Sequence, residues 1–229
     1  ITLLEGSALW KSDGTSDGTQ MVLDVSPGNN SIYPLPDNVS TLGHCVVFRL
    51  SWSTYNEELW RSDGTTAGTR RLISGPEVNS TASFRPPYPA TAFPTIPGVA
   101  FFNCGSGGFS HESLWRTDGT PEGTWKLGST RAATQPFVLG ARMIFATNDF
   151  VHGNEPWITD GTVEGTHLLK NLNQDTAYVT DSHPEGSFPI GDQVGFLARW
   201  TSAGDFNLWK TDGTAEGTVM VAPVNRSNL

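Results

Sequence analysis

The sequence predicts an all-β protein: a five-bladed β-propeller of four-stranded antiparallel blades, with the first blade incomplete at the N-terminus. An eleven-residue motif occurs five times at uneven spacing, which is typical of a repeated structural unit with variable connections. Four of the five motifs follow a pair of short apolar segments joined by a glycine turn. Glycine and proline are abundant, with 25 and 15 residues, and no stretch keeps a helical period, which also favours an all-β fold.

The repeat motif predicts a β-hairpin. Its first copy, at residues 9–19, reads Leu-Trp-Lys-Ser-Asp-Gly-Thr-Ser-Asp-Gly-Thr, so that an aromatic strand ends at Asp-Gly and a Gly-Thr opens the next strand. The aspartate can accept backbone N–H groups two residues on, and the first glycine tolerates a positive φ. One acid per loop lacks the ligand-rich spacing of an EF-hand, so we expect a structural turn and no metal. The repeated residues are Trp10, Asp13, Trp60, Asp63, Trp115, Asp118, Trp157, Asp160, Trp209 and Asp212.

Each complete unit is predicted to contain four strands, a to d, of which c carries the motif tryptophan. Leucine and tryptophan are adjacent in the motif and point to opposite faces of a strand, so we expect the tryptophans to pack between blades. A phenylalanine on strand b precedes the tryptophan at nearly constant spacing in four units. For Trp10 the matching residue would lie before Ile1, so blade 1 lacks strand a and the start of b. The single domain divides into units 1–25, 26–73, 74–127, 128–172 and 173–229.

The five copies resemble the ELWxxDGT repeat family of secreted and surface proteins. The family's glutamate is present as Glu58 and Glu155, whereas Ala8, Ser113 and Asn207 replace it in the other copies. The resemblance covers all five units and implies a β-propeller-like repeat without implying one activity. The aspartate turn is also similar to the Asp-box hairpins of sialidase propellers.

Charge and cysteine content limit the class of partner. A net charge of −9 and a pI near 4.9 argue against nucleic acids and anionic membrane surfaces, and no apolar run could span a membrane. We predict a secreted, extracellular protein whose start at Ile1 reflects processing or truncation. Cys45 and Cys104 are expected to be buried free thiols, with a single bridge as the alternative. The candidate N-glycosylation sites are Asn29, Asn38, Asn79 and Asn225.

The variable connections predict the functional face. In an a-b-c-d blade the d-to-a and b-to-c connections share one face, and these segments carry all the variation in length, whereas the hairpin face is uniform. Aromatic and polar side chains in the b-to-c loops at 51–56, 105–110, 148–153 and 201–205 suit sugar rings, which stack and hydrogen-bond at once. The alternative is that these aromatics pack beneath long loops. The candidate ligand-binding residues are Trp52, Tyr55, His111, His152, Trp200 and Asp205.

No catalytic constellation is evident, and no cofactor is expected. The five histidines share no metal-ligand spacing, and there is no nucleophile elbow or phosphate-binding glycine loop. The a strands, predicted at 39–42, 93–96, 137–139 and 188–190, contain no acid. The acids near strand ends are Asp37, Asp149, Asp175, Asp181, Glu185 and Asp192.

The sequence therefore predicts a non-catalytic, lectin-like recognition protein with glycans or glycoproteins as partners. One alternative is a matrix or assembly component that binds a neighbouring chain, or another copy of itself, through the incomplete first blade. A second alternative is a glycosidase or lyase with acids at the central mouth.

Overall fold

The computed structural model describes residues 8–24, 35–53, 56–73, 82–85, 94–106, 112–129, 132, 136–173, 181–201 and 206–224. Within these ranges the regular structure is entirely β. The strands are β1 (Ala8–Lys11), β2 (Gln20–Asp24), β3 (Leu35–Leu42), β4 (Cys45–Ser53), β5 (Asn56–Ser62), β6 (Arg70–Arg71), β7 (Ala82–Arg85), β8 (Thr95–Ile96), β9 (Val99–Ser106), β10 (Ser113–Thr117), β11 (Trp125–Lys126), β12 (Phe137–Leu139), β13 (Arg142–Asn148), β14 (Asn154–Thr159), β15 (His167–Leu168), β16 (Glu185–Ile190), β17 (Gln193–Arg199), β18 (Phe206–Thr211) and β19 (Val219–Pro223).

The strands form five antiparallel sheets, and the fold is the predicted five-bladed β-propeller. Blade 1 contains β1 and β2, and blade 2 has the order β3-β4-β5-β6. Blade 3 has the order β7-β9-β10-β11, with β8 on the same edge of β9 as β7. Blades 4 and 5 have the orders β12-β13-β14-β15 and β16-β17-β18-β19. Blade 1 thus presents only the c and d strands among the described residues, as predicted.

The repeat motif forms the c–d hairpin in every blade. The regular spacing between phenylalanine and tryptophan has a direct cause, because each pair lies opposite across the b and c strands. The pairs are Phe48 and Trp60, Phe102 and Trp115, Phe145 and Trp157, and Phe196 and Trp209. The rings of Phe102 and Trp115 stack with centroids 6.3 Å apart. Cross-strand aromatic pairs of this kind stabilise the sheet.

Each blade packs its leucine side against the tryptophan side of the next blade. Leu59 of blade 2 shares a buried cluster with Trp115 of blade 3, and Leu114 of blade 3 packs with Phe145 and Trp157 of blade 4. Blades 4 and 5 meet through Ile158 with Val194, and through Leu172 with Phe196 and Trp209. The predicted packing of tryptophans between blades is confirmed for Trp115, Trp157 and Trp209.

A polar contact accompanies this packing between successive blades. Basic side chains of one blade donate to carbonyl oxygens in the Asp-Gly turn of the next. The contacts are Arg61 Nη1 to Gly119 O at 3.2 Å, Arg116 Nη1 to Gly161 O at 3.5 Å and Arg142 Nη1 to Gly213 O at 3.1 Å. Between blades 1 and 2 the Lys11 side chain lies over Gly64, and Thr66 Oγ1 donates to Val22 O at 2.8 Å.

Trp10 departs from the prediction. Its side chain is 44% exposed, against 7% for Trp115 and 3% for Trp209. The physical reason is that Trp10 joins none of the buried clusters formed between the described blades. The tryptophan side of blade 1 is therefore an open surface.

Several strand boundaries also differ from the predicted ones. The segment β7 lies where the sequence predicts a loop, but it pairs with the end of β9. The strands β3 and β16 begin earlier than expected, so Asp37 and Glu185 lie on a strands that are predicted to carry no acid. Trp52 lies on β4 rather than in a loop. In each case the ladder continues past the short apolar segment, because polar residues also take part in edge pairing.

Both cysteines are buried free thiols, which confirms the preferred prediction. Cys45 and Cys104 lie in the cluster between blades 2 and 3. Burial raises the pKa of Cys104 to about 12, with nearby Glu112 and Glu57 adding to the effect. Cys104 is therefore a protonated packing residue at neutral pH.

Candidate functional site

The hairpin face carries the same hydrogen-bond network in all five motifs. In the fourth motif, Asp160 Oδ1 accepts the backbone N–H of Thr162 at 2.8 Å and its hydroxyl at 2.7 Å. The Thr162 hydroxyl in turn accepts the N–H of Gly165 at 2.9 Å. The equivalent bonds recur in the other four copies. The aspartate is thus a structural acceptor, as predicted.

The hydroxyl protons of the turn have one consistent arrangement. Thr166 Oγ1 donates to the carbonyl of Thr162 at 2.6 Å. Its single proton is then used, so the Thr159 hydroxyl must be the donor in the 2.7 Å contact between the two hydroxyls. Thr159 Oγ1 also accepts the N–H of Gly161 at 3.0 Å. Each threonine hydroxyl of the turn therefore has both a donor and an acceptor role.

The turn requires both glycines, and the sequence predicts only the first requirement. Gly161 has a φ of +88°, as expected for an Asp-Gly turn. At Gly165 a Cβ would lie 2.1 Å from Asp160 Oδ1, so a side chain there would displace the carboxylate. The second glycine recurs in every copy beneath its aspartate. Its fixed distance from the aspartate along the chain is the sequence signal for this contact.

The opposite face brings three variable segments of blades 4 and 5 together. Asn154 O accepts the backbone N–H groups of Ser182 at 3.1 Å and His183 at 3.2 Å. Asn154 N donates to Asp181 Oδ1 at 2.6 Å, and Arg199 N donates to Ser182 O at 2.7 Å. We call residues 148–155, 181–183 and 199–200 the blade 4–5 loop cluster.

Glu155 anchors this cluster from below. Its side chain is fully buried, and its carboxylate accepts from Ser182 Oγ at 2.7 Å, Leu172 N at 2.9 Å and Asn173 N at 3.4 Å. Burial raises the pKa of Glu155 to about 7, although the three hydrogen bonds oppose the shift. Glu155 thereby ties strand c of blade 4 to the connection that enters blade 5.

The exposed side of the cluster is aromatic and polar. Trp200 is 45% exposed, and one face of its indole stacks on Trp209 with centroids 5.9 Å apart and an interplanar angle of 18°. Phe150 is 80% exposed and has a φ of +64°. The result is a supported aromatic platform at Trp200 and a projecting aromatic tip at Phe150.

Asp149 shapes the tip. It accepts the backbone N–H groups of Val151 at 2.9 Å and His152 at 2.7 Å, and its other oxygen lies 2.7 Å from His152 Nδ1. Burial alone would raise the pKa of Asp149, but the bonds from His152 and Val151 outweigh it and the pKa is lowered. The His152 ring is thereby oriented with one nitrogen toward Asp149.

Of the six predicted ligand-binding residues, His152 and Trp200 lie in the blade 4–5 loop cluster. Tyr55, His111 and Asp205 lie outside the described residues, as does the Trp52 side chain. Sequence reasoning misses the role of Asp181, Ser182 and His183. It assigns their segment to a long d-to-a connection, whereas the backbone there bonds to both neighbouring blades.

Asn38 is the one candidate glycosylation site among the described residues. It lies at a bulge in β3 with a φ of +51° and is half-buried, and Ser40 of the same sequon is buried. Asn29, Asn79 and Asn225 lie outside the described residues.

A cleft adjoins the cluster between blades 4 and 5. It encloses about 350 Å³ including its open mouth, at the lower end of the size of small-ligand sites. Pro156 and Pro184, which follow Glu155 and His183, line it together with Phe145 and Phe196. Glu185 supplies a carboxylate to an otherwise largely apolar lining.

The described part of the chain lacks a metal-binding cluster. No three His, Cys, Asp or Glu side chains within it are grouped so as to hold a metal ion. Nor does that part include a helix with the length and hydropathy to cross a bilayer.

Known structures place the chain among β-propellers by fold. A prolyl endopeptidase structure matches 95% of this chain and 30% of its own length, with a TM-score of 0.52 and 10% identity. A puromycin hydrolase matches 91% of this chain and 32% of its own length, with a TM-score of 0.50 and 13% identity. TolB from Acinetobacter baumannii matches 95% of this chain and 49% of its own, with a TM-score of 0.42 and 9% identity.

These similarities concern the fold alone, because the identities are low. The chain spans less than half the length of each matched structure. No protein-family model and no curated protein matches the sequence, so membership of the ELWxxDGT family stays a prediction. The class defined by fold and surface is a β-propeller protein with a uniform hairpin face and a variable loop face.

Proposed function

We propose that this β-propeller is a secreted, non-catalytic recognition protein that binds glycans through the blade 4–5 loop cluster. The supporting observation is Trp200, whose indole is packed on Trp209 on one side and exposed on the other. A ring held in this way offers a rigid apolar face at little cost in side-chain entropy. The C–H face of a pyranose stacks on such a surface.

Polar groups around the platform would bind the sugar hydroxyls. The His152 ring, oriented by Asp149, and the exposed His183 lie on segments joined to Trp200 through backbone hydrogen bonds. These groups donate or accept a hydrogen bond according to tautomer. A shallow site of one aromatic platform and two imidazoles favours a neutral saccharide bound weakly per site.

The carboxylates of the cluster support a binding role rather than catalysis. Asp149 Oδ1 is occupied by two backbone N–H groups, and Asp181 Oδ1 accepts the N–H of Asn154. Glu155 is buried under three hydrogen bonds. Each acid is used as a structural acceptor, which leaves a poor arrangement for the paired acid and base that glycoside hydrolysis needs.

The compartment belongs to the same proposal. Resemblance to the ELWxxDGT family and four sequons favour an extracellular protein that meets glycans or glycoproteins. The acidic net charge of −9 favours neutral rather than sulfated or phosphorylated glycans.

The first test is a glycan array followed by titration calorimetry of the best ligand. We expect Trp200→Ala to weaken binding by about tenfold or more, because it removes the stacking platform. Met220→Ala is the matched control, since Met220 is a 43% exposed apolar side chain on the outer strand of the same blade. Folded protein that binds no glycan, or a Trp200→Ala variant that binds as wild type, would contradict the proposal. Turnover of an oligosaccharide would instead favour an enzyme using Glu185 or Asp37.

A further inference from the structure

Blade 1 exposes a surface that every other blade buries. Its Asp-Gly turn leaves Gly14 and Ser12 exposed, whereas Gly119, Gly161 and Gly213 are buried. The residues equivalent to Ser12 are Ser62, Thr117, Thr159 and Thr211, and each is at most 3% exposed. Trp10 and its cross-strand partner Met21 add an exposed apolar patch on the same side. We call this side of blade 1 the head face.

The chain itself shows what covers such a face. In the later blades the cover is the leucine side of the preceding blade, which adds a basic side chain to a carbonyl of the Asp-Gly turn. The donors Arg61 and Arg116 directly follow the motif tryptophan. The head face is thus an unoccupied copy of an interface whose partner is already defined.

Blade 5 presents the matching surface. Lys210 follows Trp209, as Arg61 follows Trp60, and lies on the side of β18 that faces away from blade 4, together with Leu208. Both side chains are half-buried, whereas Leu59 and Leu114 are fully buried. No hydrogen-bond acceptor for Lys210 exists within the described residues. We call this side the tail face.

We propose that the tail face of a second copy of this chain docks on the head face, with Lys210 of one copy directed at the Gly14 carbonyl of the other. Blade 5 is described in this structure, yet Trp10 remains exposed, so the chain's own blade 5 does not cover the head face. The contact is heterologous, because the two copies use different surfaces, and it generates a ring or a filament.

The test is sedimentation of the whole chain over a range of concentrations. We expect the mass to rise above the single-chain 24.7 kDa as concentration increases. Trp10→Asp and Lys210→Glu should each raise the dissociation constant by about tenfold or more, because each buries an unpaired charge. The controls Met220→Asp and Lys126→Glu, on outer strands away from both faces, should associate as wild type.

Mixing the two variants gives the decisive result. A Trp10→Asp chain keeps its tail face and a Lys210→Glu chain keeps its head face, so an equimolar mixture should form a two-chain species that neither forms alone. A mixture that stays at single-chain mass would overturn the proposal. So would a wild-type chain of single-chain mass at every concentration, which would leave the head face free or covered by its own blade 5.

Discussion

At the scale of single residues, Glu155 shows how one carboxyl group joins two blades. It is buried, with donors from the blade 4 to blade 5 connection on both oxygens. Its folded pKa of about 7 lies above the ordinary value of 4.5. The folded protein therefore binds this proton more tightly than the unfolded chain does, and the associated stabilisation is present below pH 4.5 and lost as the pH rises through 7.

We predict that Glu155→Gln removes this pH dependence. The shift corresponds to about 3 kcal/mol, at about 1.4 kcal/mol per pKa unit, so wild type should lose up to that free energy of unfolding between about pH 4.5 and 8 relative to the variant. Urea unfolding at about pH 5, 6, 7 and 8 measures it. Glu164→Gln, which changes an exposed glutamate of the same blade, is the control. Parallel wild-type and Glu155→Gln profiles would show that Glu155 is ionised without penalty.

Sequence analysis finds the surface residues of the loop cluster more readily than the buried one. Trp200 and His152 are identified from their type and loop position. Glu155 stands out only as a family residue, because a glutamate beside a strand gives no sign of burial. Its donors lie 17 and 27 residues away, so only the path of the connection reveals the contact.

At the scale of the element, the Asp-Gly hairpin is a self-contained turn. The pKa values of Asp13, Asp63, Asp160 and Asp212 are lowered first by the threonine hydroxyl and then by the threonine N–H. These carboxylates stabilise the folded protein above pH 3.8, and that contribution is lost as the pH falls below it. The shared network explains why the motif tolerates such different neighbours on either side.

We predict that Gly165→Ala destabilises the protein by about 1–3 kcal/mol, because the new Cβ would overlap Asp160 and force the carboxylate out of the turn. The matched control is Gly128→Ala. At Gly128 an added Cβ would meet no heavy atom within 4 Å, and the backbone has no left-handed φ, so we expect a change below about 1 kcal/mol. Chemical denaturation compares the two. Equal effects would mean that the turn accommodates a methyl group.

At the scale of the whole molecule, stability depends on contacts between neighbouring blades. The turns of blades 1 and 3 contain the same hydrogen bonds, with Gly18 N to Thr15 Oγ1 and Gly123 N to Thr120 Oγ1 both at 2.9 Å. Their surroundings differ, because blade 2 covers the turn of blade 3 and no described blade covers that of blade 1. Repeat architectures of this kind gain stability from nearest-neighbour interfaces.

We therefore predict faster amide exchange at Gly18 than at Gly123 in dilute protein, despite equal bond lengths. Hydrogen exchange read by NMR or mass spectrometry at peptide resolution measures the ratio. Raising the protein concentration should slow exchange at Gly18 and leave Gly123 unchanged if a second copy covers the head face. Equal exchange at both glycines in dilute solution would show that protection is local to the turn.

The fold is more predictable than the site because the repeat motif encodes the hairpin within eleven residues. The Phe–Trp spacing likewise encodes the pairing of strands b and c. The strand β7 and the early starts of β3 and β16 escape prediction, since polar segments such as Ala82–Arg85 carry no alternating pattern. The exposure of Trp10 escapes it too, because a residue's own sequence context does not state which neighbour is present.

The repeated blade interface has a consequence for how such chains change over generations. Each unit offers its successor the same apolar side and basic donor, and offers its predecessor the same tryptophan and glycine carbonyl. A gene segment that encodes one unit can therefore be duplicated or deleted in frame, and every new junction joins surfaces that already fit. Blade number can drift in this way while the loops of each blade diverge independently.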